Sequence, residues 1–438
     1  MIRHYFFNQL ERHKGNSSPA AGLRSDRDSR ISPRIFPRIF PLVFAVVLVS
    51  LIGGCRQNSN RIATLPAAPP PTGFHFSPTP APVQPIVPVF PAVPAILPKP
   101  AILGAAYAPV IMLPTHMPQP LIRVKITAEL PTPPHIRAWL YRGKIKILRL
   151  ADGKFIALNI LPMEDYLAGV LSRELYRSWL PATYRAQAIA ARTYALYQIE
   201  TFGLTHPWDV TGTQSSQVYG GKQAETRVAW QAVRATRGLV MYGESHGRTG
   251  IFCAYFSACN GGASQSAQAA WGDHAVDTLQ GRVFGDLDAN CPEFNWPVKT
   301  YTLAQITGAI QHWGLINHLD YLSELGPLAA VRITRRDTLT GRPMVITVTD
   351  INGHVGKLRA EEFRLALLFD PDPTVHAPPS SFFDIQSQGQ FIRLTHGHGD
   401  GHGVGLSQWG AQALAREGST ARYILDVYYP GNTLHRLW

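Results

Sequence analysis

Two prolines divide the stretch from Leu161 to Gly203 into two helical segments, and this division constrains the fold more than any other feature of the sequence. Proline is favoured at the first position of a helix, where its missing N–H is not needed. Pro162 and Pro181 therefore predict one helix that ends near Glu174 and a second that begins at Pro181 and stops at Gly203.

Glu174 falls at the end of the first predicted helix, close to Leu175 and Trp179. A carboxylate at a helix C-terminus faces the unfavourable end of the helix dipole, and apolar neighbours remove water from it. Both effects raise the pKa of a carboxyl group. The surroundings of Glu174 therefore predict a group that can act as a general acid.

The second predicted helix carries two arginines, Arg185 and Arg192, at helical spacing on the same face as Ile189. The helix is rich in alanine, so we expect it to be buried, and a buried charge needs a partner. Glu164 or Asp165 could supply a structural ion pair. This interpretation stands beside a catalytic role for Arg192 next to the acid.

The run from Tyr166 to Leu196 resembles the stage II sporulation protein D family, which includes amidase-enhancer relatives. The Gly-Val-x-x-x-Glu segment of that family is matched by residues 169–174, and its Ala-Gln-Ala-x-Ala-Ala-Arg-Thr-Tyr helix by residues 186–194. Members of the family are lytic transglycosylases that act on the glycan strands of peptidoglycan. The resemblance implies that Glu174 is the catalytic acid, and that Arg192 and Gln187 belong to the shell around it.

A second matching segment runs from Trp208 to Gly220 and resembles the family's Asp-x₇-Gln-x-Tyr pattern, which assigns Gln217 to the substrate site. In some relatives two cysteines in this segment bind zinc together with a nearby histidine. This chain has Thr211 and Ser216 at those positions, and neither is a thiolate ligand. His206 alone cannot hold a metal, so we expect no metal and no other cofactor.

Residues 251–259 predict a strand that runs into Asn260-Gly261-Gly262, which resembles the family's Ser-x-Cys/Ser-x-Gly-Gly turn at the glycan groove. Alternation along a strand would place Cys253, Tyr255, Ser257 and Cys259 on one face. Tyr255 and Ser257 are therefore candidates for substrate contact, although packing within the domain is an equal alternative.

The cysteines of this region predict a disulfide. Cys253 and Cys259 would lie roughly 20 Å apart along one strand, which is beyond the reach of a disulfide. We therefore expect Cys259 to pair with Cys291 in an exported domain and Cys253 to remain a buried thiol.

Glycine occupies every second position from Gly397 to Gly405, which excludes a packed strand or helix and predicts a backbone that approaches something closely. The run from Gly401 to Ala415 resembles the family's Gly-His-Gly-Val-Gly…Ser-Gln-aromatic-Gly-Ala motif, and it assigns His402 and Gln408 to the substrate site. Asp400 stands where relatives usually carry an aromatic residue. A metal site is an alternative that would use the carboxylate and imidazoles of this loop, those of His396, His398, Asp400 and His402.

The N-terminal part predicts export. Residues 1–55 contain a basic leader, the 14-residue apolar run 41–54 and then Cys55, an order that resembles a bacterial lipoprotein signal in which this cysteine carries the lipid. Residues 56–120 are rich in proline and predict an extended linker. Ten Lys/Arg and three Asp/Glu up to Arg61 account for +7 of the net charge of +12, so the remainder does not predict a nucleic-acid surface.

We therefore expect an α+β domain over residues 121–438, with small mixed sheets around a central helical core. Its predicted elements include the strands 121–126, 144–150 and 155–158, the helices 225–238 and 302–315, a further helix or turn over 360–368, and a hairpin of 330–334 with 344–348. The expected activity is cleavage of peptidoglycan glycan strands with 1,6-anhydro ends. The alternative is a non-catalytic enhancer of a wall amidase or a glycan-binding module, in either case anchored to a membrane through lipid.

Overall fold

The computed structural model describes residues 109–272 and 275–438. The chain has the predicted α+β fold, with short mixed sheets around helices. Cys55, the apolar run 41–54 and residues 56–108 of the expected linker lie outside the described residues. None of the helices within the described ranges is both long and apolar enough to cross a membrane.

The helices and strands up to residue 260 surround the two predicted helices. They are β1 Leu121–Lys125, β2 Lys144–Arg149, β3 Phe155–Pro162, α1 Met163–Glu174, α2 Pro181–Ile199, α3 Phe202–Thr205, β4 Val210–Thr211, α4 Arg227–Ala235, β5 Leu239–Ser245, β6 Arg248–Ile251 and β7 Phe256–Ser257.

The later elements contain a long excursion before the chain returns to the first ones. They are α5 Ala267–Trp271, β8 Asn295–Trp296, β9 Lys299–Thr302, α6 Leu303–Asn317, α7 Asp320–Ser323, β10 Leu328–Arg336, β11 Pro343–Asp350, β12 Val355–Arg359, α8 Ala360–Leu368, β13 Asp384–Gln388, β14 Phe391–Thr395, β15 Gly397–His398, β16 Leu406–Ser407, α9 Gln408–Arg416, α10 Ala421–Tyr428 and β17 Thr433–Arg436.

Helix α2 is the centre of the first hydrophobic core. Its alanines from Ala186 onwards are buried, and the helix packs against α1, α4, α9 and α10, which is the pattern of a helix enclosed by protein. Pro181 opens the helix, and the preceding Leu180 donates its N–H to the side chain of Gln412 at 3.0 Å. The expected helix stop at Gly203 is wrong. Helix α2 ends at Ile199, and Gly203 lies within the next short helix, α3.

Residues 295–395 build a second hydrophobic core around Ile306, Ile346 and Phe363. The predicted hairpin is confirmed as β10 and β11, which pair antiparallel with Val331 opposite Val348. The sequence did not predict the third strand, β12, which completes the sheet. The predicted helices α6 and α8 are confirmed, and α6 begins with a capping box between Thr302 and Gln305.

The strand predicted over residues 251–259 is wrong. Strand β6 ends at Ile251, and Tyr255 donates its N–H to the carbonyl of Cys253 at 2.8 Å in a tight turn. The rest of the predicted strand contains only the two-residue strand β7, which pairs parallel with β16. Because the residues between β6 and β7 are buried in the core on all sides, the strict alternation of a half-exposed strand does not apply to them.

The expected boundary between linker and domain at residue 120 also changes. Ile111 pairs with Ile251, and Met117 donates its N–H to the carbonyl of Leu437 at 2.9 Å. Val110 is buried in the first core. At least residues 109–120 therefore pack on the domain, because Val110, Ile111, Leu113 and Met117 contact its first core.

Candidate active site

The carboxyl group of Glu174 is held by two hydrogen bonds from separate parts of the chain. It is the last residue of α1, and Leu175 turns into an extended conformation. Its Oε1 accepts the backbone N–H of Val218 at 2.7 Å, and its Oε2 accepts the side-chain amide of Gln408 at 3.2 Å. The carboxyl group has a fixed position at the break between α1 and α2.

Burial raises the pKa of Glu174 above its ordinary value. The two hydrogen bonds and the charge of Arg173 oppose this shift because they favour the carboxylate, but burial dominates. The residue itself remains partly exposed. Glu174 is therefore a carboxyl group that is protonated to higher pH than a free glutamate and can still be reached by a ligand.

Gln217 fixes the loop that supplies the Val218 N–H. Its side chain is fully buried, accepts the hydroxyl of Tyr166 at 2.9 Å and donates to the carbonyl of Ala191 at 3.2 Å. Both ends of the amide are occupied within the protein. The structure thus places Gln217 in the interior next to the loop that holds Glu174, and not at the surface where the expected substrate contact would form.

Gln408 lies at the start of α9, whose first turn is capped by Ser407. One turn later, Gln412 accepts the N–H of Leu180 at 3.0 Å and the hydroxyl of Thr183 at 2.8 Å. Two glutamines on α9 therefore hold both ends of the segment 174–180. This explains why the Ser-Gln motif and the glutamate, which are far apart in sequence, lie together.

Arg192 does not contact Glu174. Its guanidinium is fully buried and binds Glu164 through two hydrogen bonds of 3.1 and 2.6 Å, and it also donates to the carbonyl of Leu239 at 3.0 Å. The expected catalytic position of Arg192 is corrected to the structural ion pair that the sequence offered as the alternative. Arg185 is exposed, so the two arginines do not share a buried face.

Gln187 has a different environment from the other two glutamines. Its side chain is fully buried, and neither its Nε2 nor its Oε1 has a hydrogen-bond partner within the described residues. It lies one turn after Thr183 and one turn before Ala191, which are the points where α2 contacts Gln412 and Gln217. The unpaired amide of Gln187 is thus enclosed between the contacts that α2 makes with Gln412 and with Gln217.

Tyr194 is a site residue that sequence reasoning missed. Burial raises the pKa of its hydroxyl, and the negative charge of Glu174 adds to this shift. Ser216 is a hydrogen-bond partner of the same hydroxyl. The signal was present, because Tyr194 closes the Ala-Gln-Ala motif at two helical turns from Gln187.

Tyr255, Trp271 and His402 form an aromatic cluster, with ring centroids 5.5 to 6.1 Å apart. The structure brings two predicted site residues together here and adds Trp271. Burial lowers the pKa of His402 to about 4, and its Nδ1 accepts the N–H of Val404 at 2.9 Å. His402 is therefore neutral at neutral pH, and its ring orientation is fixed by the glycine-rich loop.

The backbone of the glycine-rich loop packs closely against the segment that contains Tyr255 and Ser257. Gly401 and Gly405 have φ of 93° and 69°, and added Cβ atoms would lie 2.8 Å from the Cβ of Ser257 and 2.1 Å from the carbonyl oxygen of Tyr255. Ser257 is buried beneath this loop, and its hydroxyl is 3.4 Å from the side-chain oxygen of Asn260. These contacts favour packing for Ser257 over direct substrate contact.

The alternative of a metal site in this loop has no support in the structure. No group of three or more His, Cys, Asp or Glu side chains is close enough to bind a metal within 109–272 and 275–438. In the glycine-rich loop, the Nδ1 of His396 lies 3.0 Å from Asp384. At the positions where some relatives have zinc-binding cysteines, the hydroxyls of Thr211 and Ser216 bond to each other at 3.3 Å. The imidazole of His206 stacks on Phe202.

Cys259 and Cys291 are both buried thiols, so the structure does not contain the expected disulfide. The two thiols are nevertheless hydrogen-bonded neighbours, and this contact together with burial raises the pKa of Cys259. Cys259 also donates to the carboxylate of Asp288 at 3.3 Å. The prediction that Cys259 and Cys291 are neighbours is confirmed, but the two are not joined by a disulfide bond.

The family described as "Stage II sporulation protein" matches residues 151–242, which include Glu174 and the whole of α2. An uncharacterised protein of Brachyspira hyodysenteriae is 32% identical over 292 residues, or 66% of this chain and 71% of the relative.

Two relatives with descriptive names come from Bacillus subtilis. Stage II sporulation protein D is 29% identical over 289 residues, which is 63% of this chain and 74% of the relative. Amidase enhancer is 27% identical over 306 residues, which is 61% of this chain but only 40% of the relative. By the matched family segment and by these relatives, the chain belongs to the stage II sporulation protein D family.

Proposed function

We propose that this protein is a peptidoglycan lytic transglycosylase that cleaves MurNAc-GlcNAc bonds and leaves 1,6-anhydro-MurNAc ends. The observation that carries the proposal is the environment of Glu174, a partly exposed carboxyl group whose pKa is raised by burial. A general acid needs a proton at the working pH and access to the leaving oxygen. Burial favours the protonated form of Glu174, and its partial exposure gives access.

In the proposed reaction Glu174 gives its proton to the glycosidic oxygen as the bond to C1 breaks. The resulting carboxylate then takes the proton of the C6 hydroxyl while that oxygen forms a bond to C1. The proton returns to Glu174 and no water is consumed. The hydrogen bonds from Val218 and Gln408 stabilise the carboxylate between these steps.

The surroundings of Glu174 support one carboxyl group in both roles. A hydrolytic glycosidase uses two, which lie about 5–5.5 Å apart in retaining enzymes and about 6.5–9.5 Å apart in inverting ones. Among the described residues, the hydrogen-bond partners of the Glu174 carboxyl group are the N–H of Val218 and the side-chain amide of Gln408, and neither is a carboxylate. This favours attack by the sugar's own hydroxyl.

The alternative function is a non-catalytic enhancer of a cell-wall amidase. One relative is named Amidase enhancer, although this chain spans less than half of it. Such a role would require only a surface for the amidase or for glycan. It gives no reason for a carboxyl group with a raised pKa at the end of α1.

We further propose that the protein is exported and held at a membrane by lipid on Cys55. Residues 56–108 would then act as a spacer between the anchor and the domain. At ~3 Å per residue an extended proline-rich segment of this length reaches well beyond the membrane surface. The substrate in this arrangement is the cell wall, and no nucleic acid is involved.

The test of the activity is the chemistry of the product. Purified glycan strands are incubated with the full chain and the fragments are analysed by mass spectrometry. Fragments with 1,6-anhydro ends, each one water lighter than a hydrolytic fragment, are the expected result. Fragments with reducing ends would show hydrolysis, and unchanged strands whose turnover by an added wall amidase increases would show the enhancer.

A further inference from the structure

Three aromatic rings belong to the two segments that carry Glu174 and its partner Gln408. Tyr176 follows Glu174 by two residues, Trp409 follows Gln408 by one, and Trp179 contacts both of these rings. The ring centroids are 5.3 Å apart for Tyr176 and Trp179, 5.1 Å for Trp179 and Trp409, and 5.7 Å for Tyr176 and Trp409. The rings therefore form one contiguous cluster, which we call the aromatic platform.

The platform is open to solvent on one side. Trp179 is 7% exposed and supports the other two rings, whereas Tyr176 is 59% exposed and Trp409 is partly exposed. Single exposed aromatic residues are common on protein surfaces and need no explanation. An exposed pair of rings in mutual contact, next to a carboxyl group with the character of an acid, is a different feature.

The backbone under the platform is fixed. The carbonyl of Tyr176 accepts the N–H of Trp179 at 3.0 Å and the hydroxyl of Tyr184 at 3.2 Å. Trp409 donates its N–H to the carbonyl of Ala258 at 3.1 Å. A surface that keeps its shape before binding loses less conformational entropy when a ligand docks.

Two cations border the same segment. Arg173 and Arg177 are exposed, and neither forms an ion pair with a carboxylate in the part of the chain that the structure describes. A muramyl sugar carries a lactyl carboxylate, so a guanidinium beside the platform has a partner on such a glycan. A chitin-type oligosaccharide lacks that charge.

We propose that Tyr176 and Trp409 form a saccharide subsite in which one pyranose ring of the glycan stacks, with Arg177 facing its carboxylate. The inference rests on the proposed function for the identity of the glycan. The C–H face of a pyranose ring is apolar and its rim is polar, which suits aromatic faces bordered by charged groups. In the glycine-rich loop of this chain, Asp400 stands where relatives usually carry an aromatic residue. The platform supplies aromatic surface from a different part of the chain.

The experiment measures binding and not turnover. Full-length Glu174→Gln protein, which preserves the ligand, is titrated with peptide-free glycan strands by calorimetry. Adding Tyr176→Ala and Trp409→Ala together is expected to raise Kd at least about tenfold, equivalent to ~1.4 kcal/mol. Tyr176→Phe, which keeps the ring, is expected to bind like its parent.

Matched controls are available elsewhere on the surface. Tyr423 is 55% exposed on α10 and Trp139 is 67% exposed, and replacing either with Ala should leave Kd unchanged. Equal binding by the Tyr176→Ala, Trp409→Ala protein would overturn the subsite, as would a failure of the parent to bind glycan or an equal loss on Tyr423→Ala. Circular dichroism checks that each variant is folded.

Arg177→Gln tests the charge. It should weaken binding of the muramyl glycan and leave binding of a chitin oligosaccharide unchanged, and any other pattern would contradict the assignment of Arg177. The outcome is separable from that of the proposed function. A platform that binds glycan in a protein that makes no anhydro product would retain the subsite and remove the activity.

Discussion

Gln408 donates its side-chain amide to Oε2 of Glu174 across 234 positions of sequence, at 3.2 Å. This contact joins the start of α9 to the end of α1. The amide favours the charged carboxylate and so limits how far burial can raise the pKa of Glu174. Gln408 therefore opposes the effect of burial on the pKa of Glu174, as the N–H of Val218 also does.

Replacing Gln408 with Met, which is similar in volume but has no amide, should raise the pKa of Glu174 further. The amide of Gln408 favours the carboxylate, so its removal leaves burial less opposed. Because the first step needs protonated Glu174, the loss of activity at high pH should move to higher pH. The measurement is the pH profile of anhydro-product formation.

Gln412→Met is the control for this change. Gln412 lies one turn further along α9 and holds Leu180 and Thr183, but its hydrogen bonds do not reach Glu174. It should lower the melting temperature without moving the high-pH limb. A limb that moves equally in both variants would mean that Gln408 acts through the loop and not on the carboxyl group.

The ion pair of Arg192 with Glu164 should govern folding and not chemistry. Glu164 also accepts the N–H of Gly238 at 3.1 Å and the indole N–H of Trp438 at 3.0 Å. Arg192→Met leaves a buried carboxylate without its cation, so we expect a loss of about 3–5 kcal/mol in the free energy of unfolding. Denaturant unfolding measures it.

Removing both charges, with Arg192→Met and Glu164→Gln, should restore part of that stability because no unpaired charge remains. The folded double variant should retain most of its activity. A double variant as stable as the parent but inactive would return Arg192 to the catalytic site.

His402 should make the domain sensitive to acid. Its folded pKa of about 4 lies below the value of an unfolded histidine, about 6.5. Its contribution to stability is therefore complete above about pH 6.5 and is lost as pH falls towards 4, by up to ~3 kcal/mol. His402→Asn keeps an acceptor for the Val404 N–H and should remove this dependence.

The corresponding measurement compares the free energy of unfolding of the parent and His402→Asn between these two pH values. The exposed His116 provides the control, since His116→Asn should follow the parent curve. Parallel curves for all three proteins would contradict the lowered pKa of His402.

The parts of the fold that follow from local rules were predictable. Pro181 at a helix start, Thr302 as a helix cap and the alternation of Val331 and Ile333 each act on neighbours in sequence. The strand expected over residues 251–259 failed because tertiary burial on all sides overrides a two-residue period. No local pattern reveals such burial.

The helix-end position and the raised pKa of Glu174 were predictable from the sequence, but the residues that hold its carboxyl group were not all recognised correctly. Gln217 and Gln408 belong to motifs of the same kind, yet one faces Tyr166 and the other faces Glu174. Which way a glutamine points depends on partners far away in sequence. Arg192 shows the same limit, since its position on α2 allowed either role.

The proposed anchor makes a prediction about location. Cys55→Ser removes the thiol that would carry lipid, so the variant should leave the membrane fraction and appear with soluble protein. Cys291→Ser, a cysteine within the domain, should remain with the membranes. Fractionation that does not change on Cys55→Ser would reject the lipid anchor and leave the activity untouched.

The most direct test of the account is the rate at which Glu174→Gln forms anhydro ends from purified glycan strands. The amide keeps the volume and can still be held by Gln408, but it has no proton to transfer. We predict a folded protein that binds glycan and forms anhydro product ~10²–10⁴-fold more slowly than the parent. A folded Glu174→Gln protein that releases anhydro fragments at the parent rate would contradict the assignment of Glu174 as the acid.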